Sequence, residues 1–201
     1  MTEVNSFDWN SLIQNKDPFL RYEFFSALEQ SGSVSAVTGW ETQHLLVFER
    51  TELLAVMPLY SKNHSRGEYV FDQQWADAFH QSGMEYYPKW VNAIPFTPCS
   101  GQRILIKEDI DINEIITECL KYIKQLSELN NISSLHCLFP LPDQSNLLNQ
   151  HLLLREGIQF HWFNRGYRNF SDYLQSFTSR QRKNINKERR KVKEQGITLE
   201  R

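Results

Sequence analysis

The eighteen residues SRQRKNINKERRKVKEQG, Ser179 to Gly196, constrain this chain more than any others, because no core can hold them. Arg180 to Gln195 carry eight of the 22 Lys and Arg side chains and only two acids, Glu188 and Glu194. At 3.6 residues per turn, Leu174, Phe177, Gln181, Ile185 and Val192 leave a thin apolar seam, and cations cover the rest of the circumference. The segment therefore predicts a solvated helix, and the core must come from what precedes it. Residues 1–179 hold 13 basic and 21 acidic side chains, so an acidic body bears a cationic terminal helix. A general nucleic-acid-binding domain spreads positive charge over its docking face, and this body does not. The helix faces a local anionic partner or acts alone.

Along the body, strand and helix signals interleave. Asp17-Pro18 predicts a helix start, with Gly32 as its stop. HLLVFER and ELLAVMPLYSK read as a hairpin, the second strand buried on both faces. EYVF reads as a short strand, with Asp72 capping a helix through WADAFHQSG; Pro88, Pro95 and Pro98 then break regular structure before RILI. Asp111-Ile-Asn-Glu114 has the pattern of a capping box and opens a helix with Ile115, Ile116, Cys119, Leu120, Ile123 and Leu126 on one face. LHCLF and IQFHWF read as strands around a helix NLLNQHLLL, and Ser171 as the cap of a last helical region. The class is α/β or α+β, a mixed sheet flanked by helices with a C-terminal basic helix. ITLER begins an extended segment after Gly196 and breaks off, which suggests a chain shortened at that end.

Several chemistries are excluded by spacing. GxxxxGK[ST], GxGxxG and the glycine loop that cradles coenzyme A pyrophosphate are all absent, so no cofactor-binding residue can be placed. The six histidines form no HxH, HxxxH or HExxH, and no metal is expected. Cys99, Cys119 and Cys137 are odd in number and widely spaced, which argues against a disulfide scaffold. No apolar run is long enough to span a membrane, and MTEVNSFDWN lacks the pattern of a secretory leader, so a cytoplasmic location is expected.

Gly67 to Gly101, GEYVFDQQWADAFHQSGMEYYPKWVNAIPFTPCSG, sets eight aromatic residues among Glu68, Asp72, Asp77, Glu85 and Lys89. Aromatic walls with a few polar groups line concave ligand sites, and they equally make cores.

This stretch with SGSVSAVTGWETQHLLVFER, PLYSKNHSRGEYVFD, YYPKW, PFTPCSG and RQRKNINKERRKVKEQGI resembles, in order and over most of the chain, a bacterial family of N-acyltransferases. That family is associated with peptidoglycan biosynthesis or recognition and related to the GNAT and FemAB-like superfamily. The resemblance implies a GNAT-like domain over 1–169 and a helical basic segment over 170–201 leading to a second GNAT-like half as its intramolecular partner. It implies an N-acyltransferase active at full length, not as this portion alone. An acyl or aminoacyl group would pass from acyl-CoA or aminoacyl-tRNA to an amine, such as that of a peptidoglycan precursor. By the same resemblance Arg182, Lys183, Lys187, Arg189 and Arg190, with Tyr86, Tyr87 and Lys89, would hold the anionic substrate, a cell-wall precursor or a tRNA. Glu68, Asp72 and Glu85 are the carboxylates to test as base or orienting groups. Trp90 stands where the family resemblance leads one to expect an aliphatic residue. The alternative is a non-catalytic module that uses helix 180–195 to grip nucleic acid or another anion.

Overall fold

The computed structural model describes residues 1, 4–15, 17–158 and 160–198. They fall into two compact units, Met1–Gly157 and Ile158–Arg201.

The first unit is mixed α/β. Helix α1 (Ser6–Ser11) is capped by Asn5, whose side chain accepts from the Asp8 amide, and it buries Trp9. Asp17 caps a short 3-10 turn, Pro18–Leu20, and α2 follows as Tyr22–Gln30. The Asp17-Pro18 signal thus starts a single turn, and the helix proper begins after Arg21. Trp9 fixes that bend, since its indole Nε1 donates to the Leu20 carbonyl at 2.8 Å. Strands β1 (Glu41–Thr42), β4 (Tyr60–Lys62), β5 (Lys89–Asn92) and β7 (Leu135–Cys137) form one sheet in the order β1-β4-β5-β7, with β5 and β7 parallel and the other pairs antiparallel. Strands β2 (Leu45–Glu49), β3 (Glu52–Met57) and β6 (Leu105–Ile106) form an antiparallel sheet.

ELLAVMPLYSK, read as one strand, is therefore two. Pro58 lacks the N–H that a ladder needs, and the chain leaves one sheet there and joins the other. Asn92 ties the junction, its Nδ2 donating to the carbonyls of Pro58 at 2.6 Å and Arg103 at 2.9 Å. β3 is buried on both sides as expected: Leu53 and Val56 belong to a cluster with Trp9, Phe25 and Trp40, and Ala55 and Met57 to another with Ile116 and Ile123.

Helix α3 covers Gln73–Gln81, and α4 covers Ile112–Asn130. The α4 stripe faces the second cluster, with Ile115, Ile116, Cys119 and Ile123 buried. Asp111 caps it through the Asn113 amide at 2.9 Å. Trp90 joins the same cluster, and its Nε1 donates to Ser127 Oγ of α4 at 3.0 Å, so the bulky ring serves as a bolt between sheet and helix. Helix α5 is Pro142–Leu148, starting four residues before the predicted NLLNQHLLL and ending within it. The reason is Pro142 at the first turn, favoured there for its fixed φ.

In the second unit, the IQFHWF strand is not formed over Ile158 and Phe160–Phe163, and Gln159 lies outside the described residues. Helix α6 (Phe170–Gln175) is capped by Asn169, not Ser171, and α7 (Ser179–Glu194) is a separate helix begun by Thr178. Thr178 and Gln181 form a reciprocal capping box, and Gly196, at φ 73°, ends the helix in the left-handed conformation glycine takes without penalty. Of ITLER, Ile197 and Thr198 form no strand; Leu199 to Arg201 lie outside the described residues.

Thr178→Ala removes an acceptor for an otherwise orphaned amide and is expected to weaken the start of α7 by about 1 kcal/mol. Amide hydrogen exchange in the first turn should then speed up by roughly fivefold. Unchanged exchange there would show that the box does not hold the helix.

Candidate functional site

In β4 and β5 the pairing places Lys62 directly opposite Lys89, on one face of the sheet. Two ammonium groups in that position repel, and both side chains are fully buried. The fold answers with carboxylates from the segment that follows β4. Lys89 Nζ donates to Glu68 Oε2 at 2.8 Å, Asp72 Oδ2 at 2.6 Å and Ser65 Oγ at 2.8 Å, which uses all three of its hydrogens. Lys62 Nζ donates to the Arg66 carbonyl at 3.0 Å, lies 4.0 Å from Glu68 Oε1, and stands 3.6 Å over the Trp40 ring. The Tyr86 hydroxyl donates to Asp72 Oδ2 at 2.7 Å, and Tyr87 shares a 2.7 Å bond with Ser65.

The protonation behaviour follows from burial and these partners. Burial pushes the Asp72 carboxyl up, but hydrogen bonds from Lys89, Ser65 and Tyr86 outweigh it and hold it down at about 2. Burial dominates for Glu68 and raises it despite the Lys89 charge. Burial draws Lys62 down to about 8 against the pull of Glu68. Tyr86 is raised by burial and by its bond to Asp72.

This arrangement explains why EYVF is not a strand. Glu68 and Asp72 both turn inward to one ammonium, whereas an extended chain would set these two positions about 13 Å apart, too far to share it. Instead Tyr69 and Phe71 take left-handed conformations, with φ of 62° and 50°. Gly67 begins the bend at φ 82°, where a Cβ would come within 2.7 Å of the Phe96 ring. Asp72 stands at the start of α3 without capping it, since its side chain goes to Lys89 and Tyr86.

Of the predicted site residues, the structure brings Glu68, Asp72, Tyr86, Tyr87 and Lys89 together. Glu85 is exposed and outside this network. Sequence reasoning passed over Lys62, Ser65 and His136. It also passed over Arg103, a buried guanidinium that donates to the carbonyls of Cys99, Gln102 and Leu138. Ion-pair spacing gave no signal for them, because Ser65 meets Lys89 and Tyr87 far along the chain, Lys62 and Arg103 donate to backbone carbonyls, and His136 bonds an uncharged serine.

The second unit carries the other predicted residues. Lys183, Lys187, Arg189 and Arg190 are exposed on α7. Arg182 turns back, donating to the Phe177 carbonyl at 2.5 Å and Ser179 Oγ at 3.2 Å, and Arg190 pairs with Glu194 at 3.5 Å. Among the described residues, no carboxylate lies within ion-pair distance of Lys183, Lys187 or Arg189. The Arg189 guanidinium sits 4.2 Å over the Phe170 ring. Phe170 in turn lines an open groove of about 390 Å³ with Trp162, Asn164, Tyr167, Asn169 and Tyr173. A helix of 16 residues, roughly 24 Å long, thus presents cations beside an aromatic groove.

Among the described residues no group of three His, Cys, Asp or Glu is placed to hold a metal, and no helix is long and apolar enough to cross a membrane. Fold and features define a mixed α/β protein with a buried charge network centred on Lys89 and an exposed cationic helix. The model of the FemAB-like family, described as peptidoglycan biosynthesis/recognition, matches residues 1–201, and the chain belongs to that family. No curated protein and no solved structure matches it.

Proposed function

We propose that this chain is the substrate-holding part of a FemAB-like N-acyltransferase, with α7 gripping the anionic portion of a cell-wall precursor or of an aminoacyl-tRNA. The observation that carries this is the cationic face of α7: Lys183, Lys187 and Arg189 have no carboxylate among the described residues to satisfy them. Guanidinium and ammonium groups held this way on a rigid helix suit phosphate and carboxylate. In the transfer, the acceptor amine nitrogen bonds to the acyl carbonyl carbon, the bond from that carbon to the donor's sulfur or oxygen breaks, and the proton shed by the amine balances the one gained by the leaving thiol or hydroxyl. Of the three candidate carboxylates, Glu85 has solvent access, whereas Glu68 and Asp72 are committed to Lys89. The latter two act in this reading as orienting groups for the segment between them.

The test is a thermal-shift titration with acetyl-CoA, a peptidoglycan precursor and a short tRNA-like RNA at low and moderate salt. Binding of the precursor is expected to weaken by about tenfold or more in Arg189→Ala/Arg190→Ala, given charge-assisted bonds to each. Stabilisation by RNA alone, lost steeply with salt, would favour the binding-module reading. Unchanged binding by the double variant would remove α7 from the function.

A further inference from the structure

Residues 158–163, IQFHWF, have the composition of a strand, yet no strand forms over Ile158 and Phe160–Phe163. What is missing is a partner. None of Ile158, Phe160, Trp162 and Phe163 takes a left-handed φ that extension would have to undo. Among the described residues, none of the four makes a backbone–backbone hydrogen bond. Their side chains are 91%, 97%, 62% and 73% exposed, although all four are strand-forming and apolar. The three aromatic rings alone leave roughly 500 Å² in water. A row of unpaired amides and carbonyls is a template for another strand, and natural edges are blunted by charge or proline. Residues 158–163 include no Lys, Arg, Asp, Glu or Pro.

We infer that residues 158–163 are a dimerisation strand, pairing antiparallel with the same strand of a second copy of this chain about a two-fold axis at Phe160. The alternation of the segment sets the register. Only a pairing centred on a residue keeps like faces together, and centring it on Phe160 sets that ring opposite its own counterpart and Ile158 opposite Trp162. Six apolar side chains, three from each copy, then share one face in aromatic–aromatic and aromatic–branched pairs. A centre half a residue away would set Phe160 against His161 instead. The contact is isologous, so the strand is its own complement. A two-stranded ribbon alone is marginal in water, but each copy backs this one with its own rings. The Trp162 ring lies 5.9 Å from that of Tyr173, edge to face, and 6.5 Å from that of Tyr167. The aromatic rings, Ile158 and the paired backbone together approach the roughly 800 Å² per partner of a stable interface. The contact uses no residue of α7 and is independent of what α7 grips.

Sedimentation velocity of the full chain over a concentration series tests it, and the parent is expected to pass from monomer to dimer. Phe160→Asp should raise the dissociation constant about a hundredfold or more, since each dimer loses the contact twice and gains two facing carboxylates. Phe160 is almost wholly exposed in the single chain, so the circular dichroism of the monomer should not change. Amide exchange across residues 160–163 should slow with concentration in the parent and stay fast in Phe160→Asp. Phe160→Cys should form a disulfide-linked dimer on mild oxidation, whereas Phe163→Cys, with counterparts roughly 20 Å apart in this register, should not. Arg189→Ala/Arg190→Ala should dimerise as the parent does, which separates this contact from the function of α7. A monomer at every concentration would overturn the proposal and leave the strand to a different chain. So would a dimer that Phe160→Asp leaves intact, or cross-linking as ready from position 163 as from position 160.

Discussion

Lys89→Met is expected to destabilise the protein by about 3–5 kcal/mol, more than any other single substitution in the buried charge network. The methionine fills the volume of the lysine stem, so packing is nearly kept and the loss is electrostatic. What it leaves is two buried carboxylates whose shared cation is gone. Glu68 Oε1 and Asp72 Oδ1 already lack hydrogen-bond partners, so neither group has a spare donor to fall back on. A loss of this size is a large part of the 5–15 kcal/mol by which domains are ordinarily stable. Urea unfolding at neutral pH would show it as a fall in midpoint at constant slope. Lys62→Met provides the contrast. Lys62 has one backbone acceptor, stands 4.0 Å from Glu68, and is already drawn down to about 8 by burial, so its charge contributes less. That change should cost under about 2 kcal/mol, in line with one modest hydrogen bond and a lost contact over Trp40. Equal losses in the two variants would show that Lys89 is not the hub. Adding Glu68→Gln and Asp72→Asn to Lys89→Met should recover part of the stability, because the buried charges are then gone with their partner.

The parts of this structure that were legible in the sequence are those whose signals are local. The α4 stripe and its Asp111 cap depend on residues within a few positions of each other and form, although Asp111 accepts from the Asn113 amide and the Glu114 half of the expected capping box is not made among the described residues. The cationic helix forms as well, because eight cations and two acids in sixteen positions leave it no other environment. The Gly67–Gly101 stretch could be singled out by composition, but the use of its carboxylates could not. Whether Asp72 caps a helix or binds an ammonium depends on Lys89 lying within 2.6 Å, and β-sheet register, not sequence spacing, puts it there. The same network bends EYVF away from the strand that its residue types favour, an instance of tertiary contact overriding propensity. The split of β3 from β4 carried a signal in Pro58, which a purely apolar count ignores. Helix α1 is six residues long, too short for a periodic pattern to appear, and only the Asn5 cap marks it.

His136 is expected to make the lower part of the stability–pH curve steep. It lies in β7 opposite Val91, with Nε2 at 2.9 Å from Ser134 Oγ and its ring 5.9 Å from that of Tyr86. Burial first, then the positive charge of Lys89, press its pKa from 6.5 down to about 4; the attraction of Asp72 opposes them, and Arg155 adds a smaller downward push. A base with a depressed folded-state pKa binds its proton in the unfolded chain first. Its contribution is therefore complete above pH 6.5 and is lost as pH falls towards 4, by up to about 3 kcal/mol. His44, buried beside Glu29 and also depressed, titrates in the same direction, so the informative quantity is a difference between proteins. His136→Asn should unfold with a shallower pH dependence than the parent between pH 6.5 and 4, and the two curves should run parallel above 6.5. Asp72 acts in a separate window: held at about 2 in the folded state, it withdraws its support only as pH falls below its ordinary 3.8. A loss of stability in His136→Asn that is the same at every pH would mean the histidine matters for packing alone. Parallel curves throughout, with no such offset, would mean that its proton is not excluded by the fold at all.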